Sequence, residues 1–391
     1  MTAAEREQLR AALAGIGFDE VRFAAIGLPP AAADFRAWLD AGHHADLEWL
    51  PRTAKKRLDP QAVLPGARTM VVLGVNYLPD GAAQVQARWA KYALWSDYHD
   101  TMERGLREAG QLLESRYGLR REDYRTYVDT GPVLERGWAA AAGVGWQGKN
   151  AMLISRQHGN WLLLAVILAR IDIPPDAPLA GRPAPDEPRP PAVGLHCGTC
   201  TRCLAACPTQ AFPRPGWVDA RRCIAYHTIE NRGAIPREFR ALIGGRVFGC
   251  DTCLDVCPWN RFARTARGAL LAARTALLEL TLLDLLAMDE VRFRAVFQKS
   301  PIKRVKLGGL LRNACIVAGN WHAATEWHFG GAEDGAAVSA AVERLCAHEL
   351  PLVRGHAVWA LRRLVGEEEA ARRLASVHAA EHDQAVLAEY G

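Results

Sequence analysis

The chain has 391 residues, half of them hydrophobic, and its 48 Lys and Arg against 43 Asp and Glu leave a formal net charge of +5. That length can bury two or three cores, and so small a charge excludes a chain that grips nucleic acid with its whole surface. The longest apolar run, WLLLAVILA at 161–169, is too short for a bilayer, and MTAAEREQLRAALAGIG lacks a basic segment followed by an apolar one; a cytoplasmic protein without membrane contact is expected.

From the N-terminus, EREQLRAALAGIGF has helical spacing and ends at a glycine, while TMVVLGVNYL, RTYV and the 161–169 run read as strands. Residues 1–175 are therefore expected to form an α/β domain. Within it, VDTGPVLERGWAAAAGVG reads as a strand end, a turn, a helix start near Pro132 and a stop at Gly143. This puts Asp129 at the carboxyl end of a strand, where α/β folds tend to bind ligands. On the residues alone an aspartate before T-G-P is more often a turn or capping residue. Eight prolines between 171 and 191 then exclude regular helix or sheet and imply an extended connection.

Four of the ten cysteines follow at once. Cys197, Cys200, Cys203 and Cys207-Pro208 fit C-x2-C-x2-C-x3-C-P, the bacterial ferredoxin run in which the fourth cysteine serves the other cluster. Cys250, Cys253 and Cys257-Pro258 nearly repeat it, and Cys223 can replace the ligand this second run lacks. Exchange of the fourth ligand assigns Cys197, Cys200, Cys203 and Cys257 to one 4Fe-4S cluster and Cys207, Cys223, Cys250 and Cys253 to another. Two four-cysteine zinc sites are the rival, disfavoured by this interleaved spacing. Cys315 and Cys346 read as small core residues. Residues 176–265 should thus hold the connection and a double-cluster, ferredoxin-like module with short helices between ligands.

The rest, 266–391, reads as helical. RNACIVAGN from Arg312 and RGHAVWALRRL from Arg354 align at a 42-residue offset, Ile316 with Val358 and Ala318 with Ala360; that period suits HEAT-like pairs, with two unrelated amphipathic helices as the alternative. Around the second cysteine run, Arg232, Lys299, Lys303, Arg304, Lys306 and Arg312 concentrate positive charge of the kind phosphate contacts need, and Trp217 or Tyr226 could support unstacked bases. A solvated basic surface would look the same.

Taken in order, KKRLDP, LPGARTMVVLGVNY, SDYHD, VDTGPVLER, GWQGKN, the two cysteine runs, SPIKRVKLGGLLRNA and RLCAHELPLVRGHAVWAL span 55–361. In these stretches the chain resembles the epoxyqueuosine reductases, a family related to the reductive dehalogenases. The resemblance implies reduction of the epoxide of epoxyqueuosine in a tRNA anticodon loop, with electrons passing through two 4Fe-4S clusters to a cobalamin held in the N-terminal domain. It implies Asp129 as proton donor, its carboxyl kept protonated beside a dry corrin face, and places Asp129 with Arg57, Leu153, Leu164, Ala225, Cys250 and Asp251 at the cobalamin. It places tRNA contacts at Asn231, Arg232 and Gly233, to which the basic residues Lys303, Arg304 and Lys306 are added. Met102 stands where a D-x-H-x-x-G motif would have glycine, so His99 is not expected to ligate cobalt and the cofactor should be base-off without a histidine ligand.

Two other readings remain open on the sequence: a reductive dehalogenase-like enzyme acting on a small organic halide, and a two-cluster electron carrier. No nicotinamide-binding glycine fingerprint follows a strand, so a separate low-potential donor protein is expected. No dimer interface is legible, and a monomer is the default.

Overall fold

Thr2 opens the first helix, Ala3–Ile16: its hydroxyl accepts from the Glu5 amide while the Glu5 carboxylate accepts from the Thr2 amide. This reciprocal cap contributes on the order of 1 kcal/mol. The helix buries Leu9 and Leu13 and stops at Gly17, whose φ of 126° is open to glycine. In the computed structural model of the chain, residues 1–80, 88–179, 193–321 and 334–391 are described; most of the proline-rich connection, 180–192, lies outside them. Packing divides the chain into two units, one of Met1–Asp80, Trp95–Arg221 and Thr252–Ala273, the other of Gly81–Leu94, Arg222–Asp251 and Arg274–Gly391.

The first unit is built on a four-stranded sheet in the order β1 (Glu20–Ala25), β2 (Thr69–Asn76), β6 (Leu162–Ala169), β3 (Tyr124–Val128). All eight residues of β2 are buried, as expected for a central strand covered on both faces. Met70 and Val72 pack with Trp138, Ala139 and Ala140 of the helix Glu135–Ala141, and alternation sends Val71 and Leu73 to the opposite face. The helices Ala3–Ile16 and Tyr98–Tyr117 pack on each other and on the sheet. A two-stranded ribbon, β4 (Gly145–Gln147) with β5 (Leu153–Ser155), completes the strands.

Each expected strand is present, but every pairing is antiparallel. The rule that places ligands beyond the carboxyl ends of parallel strands therefore does not explain the position of Asp129. It follows β3, which among the described residues pairs only with β6 and so ends at an edge.

The second unit is mainly helical. The aligned stretches fall in Lys306–Gly319 and Pro351–Val365, which pack against each other. Gly319 permits the approach: a Cβ there would meet Trp359 at 2.6 Å. Ile316, Ala318, Val358 and Ala360 are all fully buried. A buried bidentate pair fastens Arg240 to Glu389, at 2.9 and 2.7 Å.

Candidate redox and catalytic sites

The cysteines divide between the units. Cys197, Cys200, Cys203 and Cys257 belong to the first and line one cavity of about 140 Å3 with Lys149, Asn150, Ile154, Pro258 and Trp259. Local turns bring them there: the Cys197 amide donates to Gly194 O and the Cys200 amide to Cys197 O, with Gly194 and Gly198 both at positive φ. Short helices, Arg202–Ala205 and Thr252–Asp255, pack together as the spacing predicts. Lys149 Nζ donates to Gly198 O at 2.7 Å and holds the first loop.

Burial, with Cys197 and Cys257 nearby, pushes the Cys203 thiol up to about 11. These thiols would bind metal with proton release. Among the described residues no three His, Cys, Asp or Glu side chains converge closely enough for a single ion. Four cysteines lining one cavity suit a cubane cluster, which takes one thiolate per iron.

Cys207 and Cys253 also lie in the first unit, Cys223 and Cys250 in the second. The Cys207 Sγ accepts from the Ala211 amide at 3.3 Å. Cys315 and Cys346 sit in the helical core, where burial pushes the Cys346 thiol up to about 12.

Asp129 stands at φ 55°, immediately after β3. The turn tolerates only glycine at 131, because a Cβ there would meet the Tyr127 side chain at 2.4 Å. Tyr98 donates its hydroxyl to Asp129 Oδ2 at 2.7 Å, and His99 Nε2 lies 3.5 Å from the same oxygen. His99 Nδ1 is 2.8 Å from Asp97 Oδ1, and Asp97 also caps the helix Tyr98–Tyr117. Burial opposes a charge on His99, but its contacts with Asp129 and Asp97 outweigh this and raise it to about 9. The imidazole therefore carries a proton at neutral pH and faces two carboxylates, and Met102 is buried in the helix. The Asp129 side chain itself is 63% exposed.

Arg57 is buried rather than solvated. Its Nη1 donates to Val133 O and its Nε to Thr53 Oγ1, both at 2.9 Å, so it ties down the base of the Asp129 turn. Beside it, burial raises the Glu135 carboxyl to about 8. Its Oε1 has no hydrogen-bond partner among the described residues. Arg57 and Glu135 face a cavity of about 230 Å3 with Trp38, Val133 and Trp217. Leu153 is buried in β5, and Leu164 is half-buried in β6. Ala225 and Asp251 belong to the second unit, where Asp251 Oδ2 accepts from the Lys91 amide at 2.7 Å.

The basic region of the second unit is only partly available to phosphate. Lys299, Lys303 and Lys306 are exposed, but Arg304 is held by Glu230 at 2.6 Å. Arg232 is exposed and donates to Arg304 O. Arg312 is fully buried and donates to the carbonyls of His227, Asn231 and Gly233, so it organises the Asn231–Arg232–Gly233 loop from beneath. The Asn231 side chain closes that loop by accepting from the Gly233 amide. Of the two candidate base platforms, Tyr226 shares this unit, whereas Trp217 belongs to the first unit and carries Arg214 over its ring at 3.8 Å.

Sequence reading missed Tyr98, Glu135 and the service of His99 to Asp129. SDYHD carries the available signal, a tyrosine and a histidine side by side at a helix start, but nothing in it names an aspartate distant in sequence as their partner.

Two family models match the chain: the 4Fe-4S double cluster binding domain over 196–260, and epoxyqueuosine reductase QueG, DUF1730, over 57–130. The epoxyqueuosine reductase of Xanthomonas campestris is 38% identical over 88% of this chain and 92% of its own. That of Vibrio cholerae is 36% identical over 78% and 80%, and that of Escherichia coli 33% over 91% and 88%. Among solved structures, an epoxyqueuosine reductase bound to an epoxyqueuosine-modified tRNA-Tyr stem loop shares the fold, with a TM-score of 0.77 at 24% identity over 99% of this chain and 97% of its own. The Bacillus subtilis epoxyqueuosine reductase, with its catalytic aspartate loop swung out of the active site, gives a TM-score of 0.75 at 25% identity over the same shares. At these identities and coverages the chain belongs to the epoxyqueuosine reductase family of oxidoreductases.

Proposed function

We propose that this chain deoxygenates epoxyqueuosine in a tRNA anticodon loop to queuosine, consuming two electrons and two protons and releasing water. The observation that carries the reading is the Asp129 turn: a carboxylate held by Tyr98 and faced by the charged His99, in the unit that also offers four thiols to one cavity. The tRNA substrate is supported by the stem loop bound to the related structure.

Asp129 protonates the departing epoxide oxygen, and His99 supplies the proton, since it holds one at neutral pH within 3.5 Å of the carboxylate. Movement of the turn, as in the swung-out loop of the Bacillus subtilis relative, would carry the carboxyl between His99 and substrate. Cobalamin, base-off and without a histidine ligand, would supply the low-potential metal centre for carbon–oxygen cleavage. The unpartnered Glu135 Oε1 beside buried Arg57 suits its amide-bearing periphery. Arg57 and the chain at Leu153, Leu164, Ala225, Cys250 and Asp251 would hold it.

Cys197, Cys200, Cys203 and Cys257 would bind one 4Fe-4S cluster and Cys207, Cys223, Cys250 and Cys253 the other, fed by an external donor protein. Asn231, Arg232, Gly233, Lys303, Arg304 and Lys306 would take the tRNA. The division at 1–175, 176–265 and 266–391, the last part HEAT-like, remains our functional partition of a cytoplasmic monomer.

The test is anaerobic incubation of reconstituted protein with epoxyqueuosine-containing tRNA and reductant, with and without cobalamin, followed by nucleoside mass spectrometry. Cobalamin-dependent loss of one oxygen mass is expected. No conversion with clusters and cobalamin loaded would overturn the assignment and favour a small-molecule reductive dehalogenase-like activity.

A further inference from the structure

The four-thiol cavity of the first unit opens within a cationic surface that the chemistry above does not use. Arg202 stands between two of the thiols in sequence and is exposed. Arg156, Arg261 and Arg264 are also exposed, and among the described residues none of the four is ion-paired. Two contacts tie Arg156 to the cavity: its Nη2 lies 3.2 Å from His196 Nε2, next in chain to Cys197, and Trp259 Nε1 donates to His196 O at 3.1 Å. Trp259 lines the cavity, and its ring lies 5.5 Å from that of Phe262, which is 47% exposed with the Arg261 guanidinium 4.5 Å above it. An exposed aromatic beside a cavity wall, with a guanidinium over its ring and further exposed arginines in the same unit, has the anatomy of a protein-docking face.

We infer that this face docks an acidic one-electron carrier protein, the inference resting on the cluster assignment proposed above. The carrier is oxidised by one electron and the cluster reduced by one, with no proton or bond transferred. Complementary charge makes such encounters fast and salt-sensitive. RNA is the weaker occupant, because the aromatic anchoring here abuts a redox cavity.

The test uses the full chain with reconstituted clusters, without cobalamin or tRNA, and a reduced, acidic plant-type ferredoxin as probe. Carrier affinity is measured by calorimetry, and cluster reduction by loss of visible absorbance. Arg156→Glu combined with Arg261→Glu should weaken carrier affinity and slow reduction about 10-fold or more at low salt. The variant should retain the parent's iron and sulfide content and its rate with dithionite. Arg156→Lys with Arg261→Lys should stay near the parent. The docking inference falls if reduction of the parent by the carrier is insensitive to salt, or if charge reversal leaves it unchanged. It falls equally if the reversal slows dithionite just as much, or weakens tRNA stem-loop binding in place of carrier binding. A failure to deoxygenate epoxyqueuosine with normal carrier-driven reduction would instead count against the substrate assignment.

Discussion

Replacing Arg312 with methionine separates two roles that a sequence cannot distinguish. The guanidinium donates to Asn231 O at 2.8 Å, Gly233 O at 2.7 Å and His227 O at 2.7 Å, and burial first, then the charge of Arg232, pushes its pKa down to about 10. Methionine fills similar space but leaves three inward carbonyls without their donor, each costing about 1–3 kcal/mol. Removing the buried charge returns part of that, leaving a net loss of about 3–5 kcal/mol. In a unit of this size that lowers the melting temperature by roughly 10 °C. Calorimetry measures the loss, and fluorescence anisotropy of a tRNA stem loop at several salt concentrations measures the consequence. A loop organiser weakens binding while leaving the slope of log affinity against log salt unchanged. A phosphate ligand would instead flatten that slope by roughly one and spare stability, and an unchanged melting temperature would refute the reasoning.

Lys303→Ala and Lys306→Ala should each flatten that slope by about 0.7–0.9, whereas Arg304→Ala should do less, since its charge is already held by Glu230. The raised His99 pKa stabilises the fold fully below about 6.5 and loses that contribution as pH rises through about 9. His99→Gln should therefore remove a pH dependence of about 1–2 kcal/mol, discounted for the exposed Asp129; denaturant midpoints from pH 6.5 to 10 would show it, and parallel curves would contradict it. Cys257→Ser should lose about half the iron and sulfide of reconstituted protein. Cys315→Ser should keep the full complement at a stability cost of about 1–3 kcal/mol for an added buried hydroxyl, and equal iron loss in both would break the ligand assignment.

Elements governed by period and spacing could be read directly. The β2 residues alternate between two buried faces, and the C-x2-C-x2-C intervals are the turn geometry that brings Cys197, Cys200 and Cys203 to one cavity. Strand direction could not be read, because long and short connections both join the strands and TMVVLGVNYL is equally apolar in a parallel or an antiparallel sheet. The fate of charge was also hidden. Arg57, Arg312 and Lys303 look alike along the chain, yet the first two are buried against carbonyl oxygens and the third is solvated. What decides between them is whether carbonyls of remote segments lie within reach, and composition carries no information about that.

The same distinction bears on Asp129. A carboxylic acid can be kept protonated by desolvation, but desolvation also demands a rigid apolar enclosure. Here the tip of the turn is exposed while its base is fixed: Arg57 holds Val133, Gly131 packs under Tyr127, and Tyr98 and His99 hold the carboxylate. In the reaction proposed above, a proton held on His99 would let the carboxyl itself stay at the surface until it is needed. Such a device needs a cation that outlasts neutral pH and a tether that leaves the tip free. His99 between Asp97 and Asp129 would provide the first, and Arg57 on the carbonyl of Val133, rather than on Asp129, would provide the second.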